Sequence, residues 1–94
     1  MSRKLTIIWT TQFKKDYKIA IKRNLDIDLL DEIIRHLSNG EVLDEKYKDH
    51  PLSGNWQSFR ECHIQPNWLL IYKIENAKLI LTLSRTGSHS DLFK

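Results

Sequence analysis

Arg60-Glu61-Cys62-His63-Ile64-Gln65-Pro66-Asn67-Trp68-Leu69-Leu70-Ile71-Tyr72 is the stretch whose reading decides the fold. Two runs of apolar, β-branched and aromatic residues flank a turn, the pattern of an antiparallel hairpin. Gln57 to His63 reads as one strand and Trp68 to Ile74 as the next. Gln65-Pro66-Asn67-Trp68 is the turn, with proline in its favoured second position. A tight turn sets Ile64 opposite Leu69, His63 opposite Leu70 and Cys62 opposite Ile71. Cys62, Ile64, Leu69 and Ile71 then share the face turned to the core. Glu61, His63, Leu70 and Tyr72 share the other, where a histidine and a tyrosine could line a concave site.

On the C-terminal side, Glu75-Asn76-Ala77 turns the chain and Lys78 to Arg85 forms the last strand. Thr86-Gly87-Ser88 breaks it before the tail, His89 to Lys94. On the N-terminal side, residues 41–56 are a polar loop with Pro51, Gly54 and room for one short helical turn. Before it, Leu5-Thr6-Ile7-Ile8-Trp9 reads as a first strand. Thr10 or Thr11 caps a helix that runs through Arg23, with Phe13, Tyr17, Ala20 and Ile21 at helical spacing. Asn24 stops it. A second helix begins near Asp26 or Asp28, where carboxylates suit the positive end of the dipole. Its apolar stripe is Leu29, Leu30, Ile33, Ile34 and Leu37, and Asn39-Gly40 ends it. The order β-α-α-β-β-β predicts an α+β domain, an antiparallel sheet with a helical hairpin packed on one face.

Composition agrees with a single domain over residues 1–94. Apolar residues make up 40% and charged residues 29% of the chain, which suits a folded chain rather than a disordered one. The expected radius of gyration is about 12 Å. A lone cysteine, Cys62, rules out an internal disulfide and fits a reducing compartment. No stretch approaches the roughly 20 apolar residues of a membrane span. Only Leu5 to Trp9 follow the basic Met1-Ser2-Arg3-Lys4, too short a run for a signal peptide. The expected location is the cytoplasm. The net charge is +3, and the excess lies in the N-terminal half. Residues 1–40 carry eight Lys/Arg against five Asp/Glu, while residues 41–94 carry seven of each. Lys14, Lys18 and Lys22 repeat at i, i+4, i+8 with Lys15 adjacent. Such a stripe is either a solvated face or a phosphate-docking surface.

His50, His63 and His89 lie in the half that also holds Arg60, Arg85, Trp68, Tyr72 and Phe93. His36 reads as a surface residue of the second helix. Cleaving RNA through its 2′-OH needs a base for the hydroxyl proton, an acid for the leaving 5′-oxygen and positive charge on the phosphorane. Histidine can play either proton role, arginine matches phosphate with a two-pronged fork, and aromatic rings stack splayed bases. His89 is expected as the acid, His50 or His63 as the base, and Arg85 at the phosphorane. Phe93 or Trp68 would position a base. Strict alternation puts Arg85 on the face of Leu79, Leu81 and Leu83. A bulge near Thr82 to Ser84, or a position past the core layer, would release it. Cys62 and His63, neighbours on a strand, point to opposite faces and cannot form a nucleophile pair. His50, His63, His89 and Cys62 show no zinc-ligand spacing, and no glycine-rich phosphate loop is present. No metal or cofactor is expected.

Tyr47-Lys48-Asp49-His50-Pro51-Leu52-Ser53-Gly54-Asn55-Trp56, Arg60 to His63, Trp68 to Tyr72 and Arg85 to Phe93, in that order, resemble the YafQ branch of the RelE toxin superfamily. The likeness spans the whole chain and is most specific from Tyr47 to Phe93. It implies the RelE-like microbial RNase fold and a bacterial type II toxin. Such toxins are endoribonucleases that cut mRNA in the ribosomal 30S A site, leave a 2′,3′-cyclic phosphate or 3′-phosphate, inhibit translation and are neutralised by a cognate antitoxin. The family's functional positions fall on His50, His63, Trp68, Arg85, His89 and Phe93. Where the family often has an acid before the tryptophan, this chain has Asn67. An amide is no base, though it can hold a phosphate or hydroxyl. Arg60 is a further expected substrate contact, and the lysine stripe is expected to meet ribosomal RNA. The alternative readings are a ParE-like toxin that binds gyrase, and a non-catalytic RNA- or antitoxin-binding module.

Overall fold

The computed structural model describes residues 4–93. In chain order they form β1 (Thr6–Trp9), α1 (Thr11–Lys22), α2 (Ile27–Ser38), β2 (His50–Pro51), β3 (Arg60–Gln65), β4 (Trp68–Glu75), β5 (Ile80–Gly87) and a short α3 (His89–Leu92). Two 3₁₀ turns, Glu45–Tyr47 and Gly54–Trp56, flank β2. The sheet order is β1-β5-β4-β3-β2, and the radius of gyration is 12.5 Å.

The helices form where their caps allow. The Thr10 hydroxyl accepts from the Phe13 amide and donates to the Leu83 carbonyl, so one residue caps α1 and ties it to β5. Asn24, at φ 59, turns the chain into α2. Gly40, at φ 74, ends the second helix, its amide bonded to the Leu37 carbonyl. Phe13, Ala20, Leu30, Ile33, Ile34 and Leu37 pack on Cys62, Ile64, Trp68, Leu70, Tyr72, Leu81 and Leu83, forming the main core.

The α+β expectation holds, with four corrections. The meander β3-β4-β5 is antiparallel, but β1 pairs with β5 in parallel. With one parallel pair beside three antiparallel ones, the sheet is mixed. The expected polar loop contributes a fifth strand: His50 and Pro51 pair with Glu61 and Arg60. Proline is tolerated there because β2 is an edge. β3 starts at Arg60 rather than Gln57, because Ser58 adopts φ 79 and breaks extension before it. β5 likewise runs to Gly87 rather than Arg85.

The fourth correction concerns register. His63 pairs with Leu69, and Cys62 with Leu70. Gln65 pairs with Trp68 across the two-residue Pro66-Asn67 turn, and the ladder shifts between His63 and Gln65. This one-residue slip exchanges faces on β4. Leu70 and Tyr72 join Cys62 and Ile64 on the helix side. Leu69 and Ile71 face outward with Glu61 and His63. The outer face is not bare, since Leu69, Ile71 and Leu92 form a second apolar cluster with Leu52, Trp56, Phe59 and Phe93. That cluster draws both the β2 segment and the C-terminal helix onto the histidine-bearing face.

Candidate active site

Two neighbouring strands, β2 and β3, place His50, His63 and Glu61 together. His50 and Glu61 are direct partners on the β2–β3 ladder, and His63 follows Glu61 on the same face two residues later. Glu61 is only 5% exposed. Its carboxylate oxygen Oε1 lies 3.4 Å from His50 Nε2 and 3.5 Å from His63 Nε2. The two imidazole rings are 6.2 Å apart, centroid to centroid. His50 Nδ1 lies 2.7 Å from the Lys48 carbonyl. A carbonyl only accepts, so Nδ1 carries the proton and the neutral ring presents its lone pair at Nε2. That nitrogen is suited to take a proton. The Glu61 carboxylate lies beside that nitrogen.

A second carboxylate anchors this half from behind the sheet. The Tyr72 hydroxyl donates to Asp49 Oδ2 at 2.6 Å, and Arg60 Nε donates to Oδ1 at 3.1 Å. Asp49 directly precedes His50, and Lys48, at φ 51, folds its carbonyl toward the histidine ring. Burial, then the bond to Asp49, push the Tyr72 phenol far above its usual range.

The other half is the end of β5 and α3. Tyr72 pairs with Leu83 and Ile71 with Arg85, which leaves Ser84 as a bulge. Arg85 therefore leaves the alternation of Leu81 and Leu83. β1 has ended by this point, and Asp16 of α1 occupies the free edge. It accepts from Arg85 Nε at 2.8 Å, Arg85 Nη2 at 3.3 Å and the Thr86 amide at 3.2 Å. Nη1 of Arg85 has no hydrogen-bond partner among the described residues. Ser88 caps α3 through a reciprocal bond with Asp91, and Arg23, the C-cap residue of α1, pairs with Asp91 at 2.8 Å. The Arg23 bond, then the Ser88 amide, hold the Asp91 carboxyl far below its usual range. His89 is exposed on the first turn, its ring 5.0 Å from that of Phe93.

The expected site residues divide accordingly. His50 and His63 lie together on the outer face, and Phe93 packs on the apolar cluster of that face with the His89 ring tilted 43° against it. Asn67 is exposed in the β3–β4 turn. Two expectations are corrected. Trp68 is 2% exposed in the main core, and its Nε1 has no hydrogen-bond partner among the described residues. The register slip that turned Leu69 outward buried its neighbour, so Trp68 cannot serve as a base platform. Arg60 pairs with Tyr72 on the ladder and donates through Nε to Asp49, which places it behind the sheet and not on the histidine-bearing face. Cys62 is fully buried, and desolvation pushes its thiol far above the usual range. Lys14, Lys15, Lys18 and Lys22 are all exposed, and none pairs with a carboxylate among the described residues. Sequence reasoning missed Glu61, Asp49 and Asp16 as parts of the site, and it placed Tyr72 in the cleft, whereas that residue is buried behind the sheet as the anchor of Asp49. Only Glu61 left a signal, its place two residues from His63 on one strand face.

Comparison with known proteins identifies relatives of this chain. A family model described as bacterial toxin of type II toxin-antitoxin system, YafQ, matches residues 5–94. The mRNA interferase toxin YafQ of Escherichia coli strain K12 is 41% identical over 88 residues, covering 93% of this chain and 94% of that protein. The crystal structure of YafQ from E. coli strain BL21(DE3) superposes with a TM-score of 0.91 at 38% identity, covering 97% of this chain and all of that one. The toxin in the E. coli DinJ-YafQ toxin-antitoxin complex gives a TM-score of 0.89 at 39% identity, covering 98% and 100%.

Proposed function

Since this chain belongs to the YafQ family of type II toxins, we propose that its outer-face cleft cuts mRNA by acid–base chemistry from its own side chains. As an mRNA interferase toxin it is an endoribonuclease of a toxin–antitoxin system. His50 Nε2 takes the proton of the 2′-OH, and the freed oxygen attacks the adjacent phosphorus. Glu61 stabilises the imidazolium. His89 gives its proton to the departing 5′-oxygen, leaving a 2′,3′-cyclic phosphate. His63, on the other side of Glu61, shares that carboxylate and keeps it turned into the cleft. The Nη1 end of Arg85 meets the phosphorane charge, and Phe93 orders the nucleotide beside His89. Asn67, unable to accept a proton, holds a phosphate or hydroxyl oxygen through its amide. The observation that carries this reading is the His50 ring, with Nδ1 committed to the Lys48 carbonyl and Nε2 beside Glu61.

The setting is the ribosomal A site in the cytoplasm. The unpaired lysines of α1 are suited to the phosphates of ribosomal RNA. An antitoxin, as in the DinJ-YafQ complex, is the neutralising partner. The test is cleavage of a defined mRNA during translation in a reconstituted system. Wild type should cut and leave a cyclic phosphate end. His50→Gln and His89→Ala should each slow cleavage by about 10²- to 10⁴-fold. Growth arrest by a wild-type toxin that cuts no translated mRNA, or arrest explained by loss of gyrase supercoiling, would overturn the reading.

A further inference from the structure

Asp16 is a carboxylate 5% exposed in the middle of α1, remote in sequence from every residue assigned to chemistry. Burying a charge is costly unless it is compensated, and here every compensating donor but one comes from the end of β5. Arg85 supplies two N–H groups and Thr86 its backbone amide, while Gln12 Nε2, 3.1 Å from Oδ1, is the only donor from α1 itself. Seven residues on, and so on the same side of α1, Arg23 holds Asp91, which closes the cap of the helix that begins with His89. The helix thus grips the catalytic end of the chain at two points two turns apart.

Stability does not account for the inner grip. A buried ion pair contributes little net stability compared with apolar residues of the same shape. What it does provide is orientation. Arg85 follows the Ser84 bulge at an edge that β1 no longer covers, so the ladder alone does not fix its side chain. With Nε and one Nη2 hydrogen engaged by Asp16, the guanidinium plane is set and the Nη1 end is left for another acceptor.

We propose that Asp16 is a positioning residue for the cleavage reaction, aiming Arg85 at the phosphorane and fixing the Thr86 backbone from which α3 and His89 depart. The inference rests on the nuclease role given to Arg85 above. It places the control of the acid-bearing tail on the first helix, which itself touches no substrate phosphate through Asp16. It also assigns Arg23 a milder version of the same task, because that side chain is half exposed.

The test is single-turnover cleavage on programmed ribosomes across a range of ribosome concentrations. Asp16→Asn keeps the volume but loses the two-oxygen acceptor. It should lower the maximal rate about 10- to 100-fold and leave the half-saturating ribosome concentration within about threefold of wild type. In an Arg85→Ala background the same change should add less than about threefold, since the group it acts through is gone. Arg85→Lys keeps the charge without the fork, tests the idea even if Asp16→Asn folds poorly, and should lose nearly as much rate as Arg85→Ala. A wild-type rate for Asp16→Asn or Arg85→Lys overturns the proposal, as do losses that multiply in the double variant. Full activity of Arg85→Ala, with His50→Gln still inactive, removes Arg85 from the chemistry and this inference with it, while the nuclease reading survives.

Discussion

Replacing Tyr72 by Phe removes one oxygen atom from a residue only 1% exposed, yet its effect should reach His50. The hydroxyl donates to Asp49 at 2.6 Å. A hydrogen bond to a charged group is worth about 1.5–3 kcal/mol net, because its loss leaves a partly desolvated carboxylate short of a partner. Arg60 remains bound to the other oxygen, so the lower half of that range applies, about 2 kcal/mol. For a domain of this size each kcal/mol moves the melting temperature by roughly 4–8 °C, giving a fall of roughly 8–16 °C. Asp49→Asn should cost a similar amount, and the double variant little more than either. The coupling in that cycle should be about 1–2 kcal/mol. Urea unfolding followed by far-ultraviolet circular dichroism measures it, and an unchanged denaturant slope confirms that only stability has moved. The phenol adds a pH signature. The unfolded chain releases that proton near its ordinary value of 10.0, while the folded chain holds it to far higher pH. The stability from this bond is therefore complete below about pH 10 and is lost as pH rises beyond it. Tyr72→Phe should lose less stability than wild type on going from pH 9 to pH 11. Cleavage by the folded variant should also drop, since Asp49 anchors the backbone that presents His50. Additive effects in the cycle, with coupling below about 0.5 kcal/mol, would refute the claim that this network holds the β2 segment.

Three further outcomes follow from the same geometry. Trp68→Phe should leave RNA affinity within about twofold and stability within roughly 1 kcal/mol, because it removes an unpaired buried N–H while opening a small void; a tenfold loss of affinity in a filter-binding titration would restore the stacking role. Asp91, held well below its ordinary value of 3.8 by Arg23 and Ser88, contributes stability present above about pH 4 and lost as pH falls below it. Acid unfolding of Asp91→Asn should accordingly be shallower than that of wild type, with a lower starting stability at pH 7. Charge removal at Lys14 and Lys18 together should weaken ribosome binding without altering the maximal cleavage rate, and should reduce the slope of log affinity against log salt by about 1–2; an unchanged slope would show that the α1 stripe is a solvated face.

Much of this protein is written locally along its chain. The helices, their stops at Asn24 and Gly40, and the hairpin about Pro66-Asn67 follow from capping and turn chemistry, which act over four or five residues. The segregation of lysines to α1 and histidines to the C-terminal half is equally plain. Glu61 and His63 share a face in any register, because strand alternation alone requires it. The ordered set of motifs from Tyr47 to Phe93 is specific enough to point to the toxin family by itself.

Which β4 residues face outward depended on a single residue of register. The Gln65–Trp68 pairing and the slip at Ile64 exchanged Tyr72 for Ile71, and with them a supposed cleft residue for a buried anchor. Alternation cannot settle such a choice when Leu69, Leu70 and Ile71 are all apolar, since any of them is content on either side. The bulge at Ser84, the parallel seat of β1 and the short strand at His50 likewise arise from pairings between segments far apart in sequence. Asp16, Asp49 and Arg60 became legible only through those pairings, because a carboxylate looks like any solvated charge until its donors arrive from elsewhere. Residue type and local order thus determined which chemistry this chain can perform. Tertiary structure decided which of its polar groups come together on the outer face and which are bound up as anchors, because long-range pairing and burial alone set how each charge is oriented and compensated.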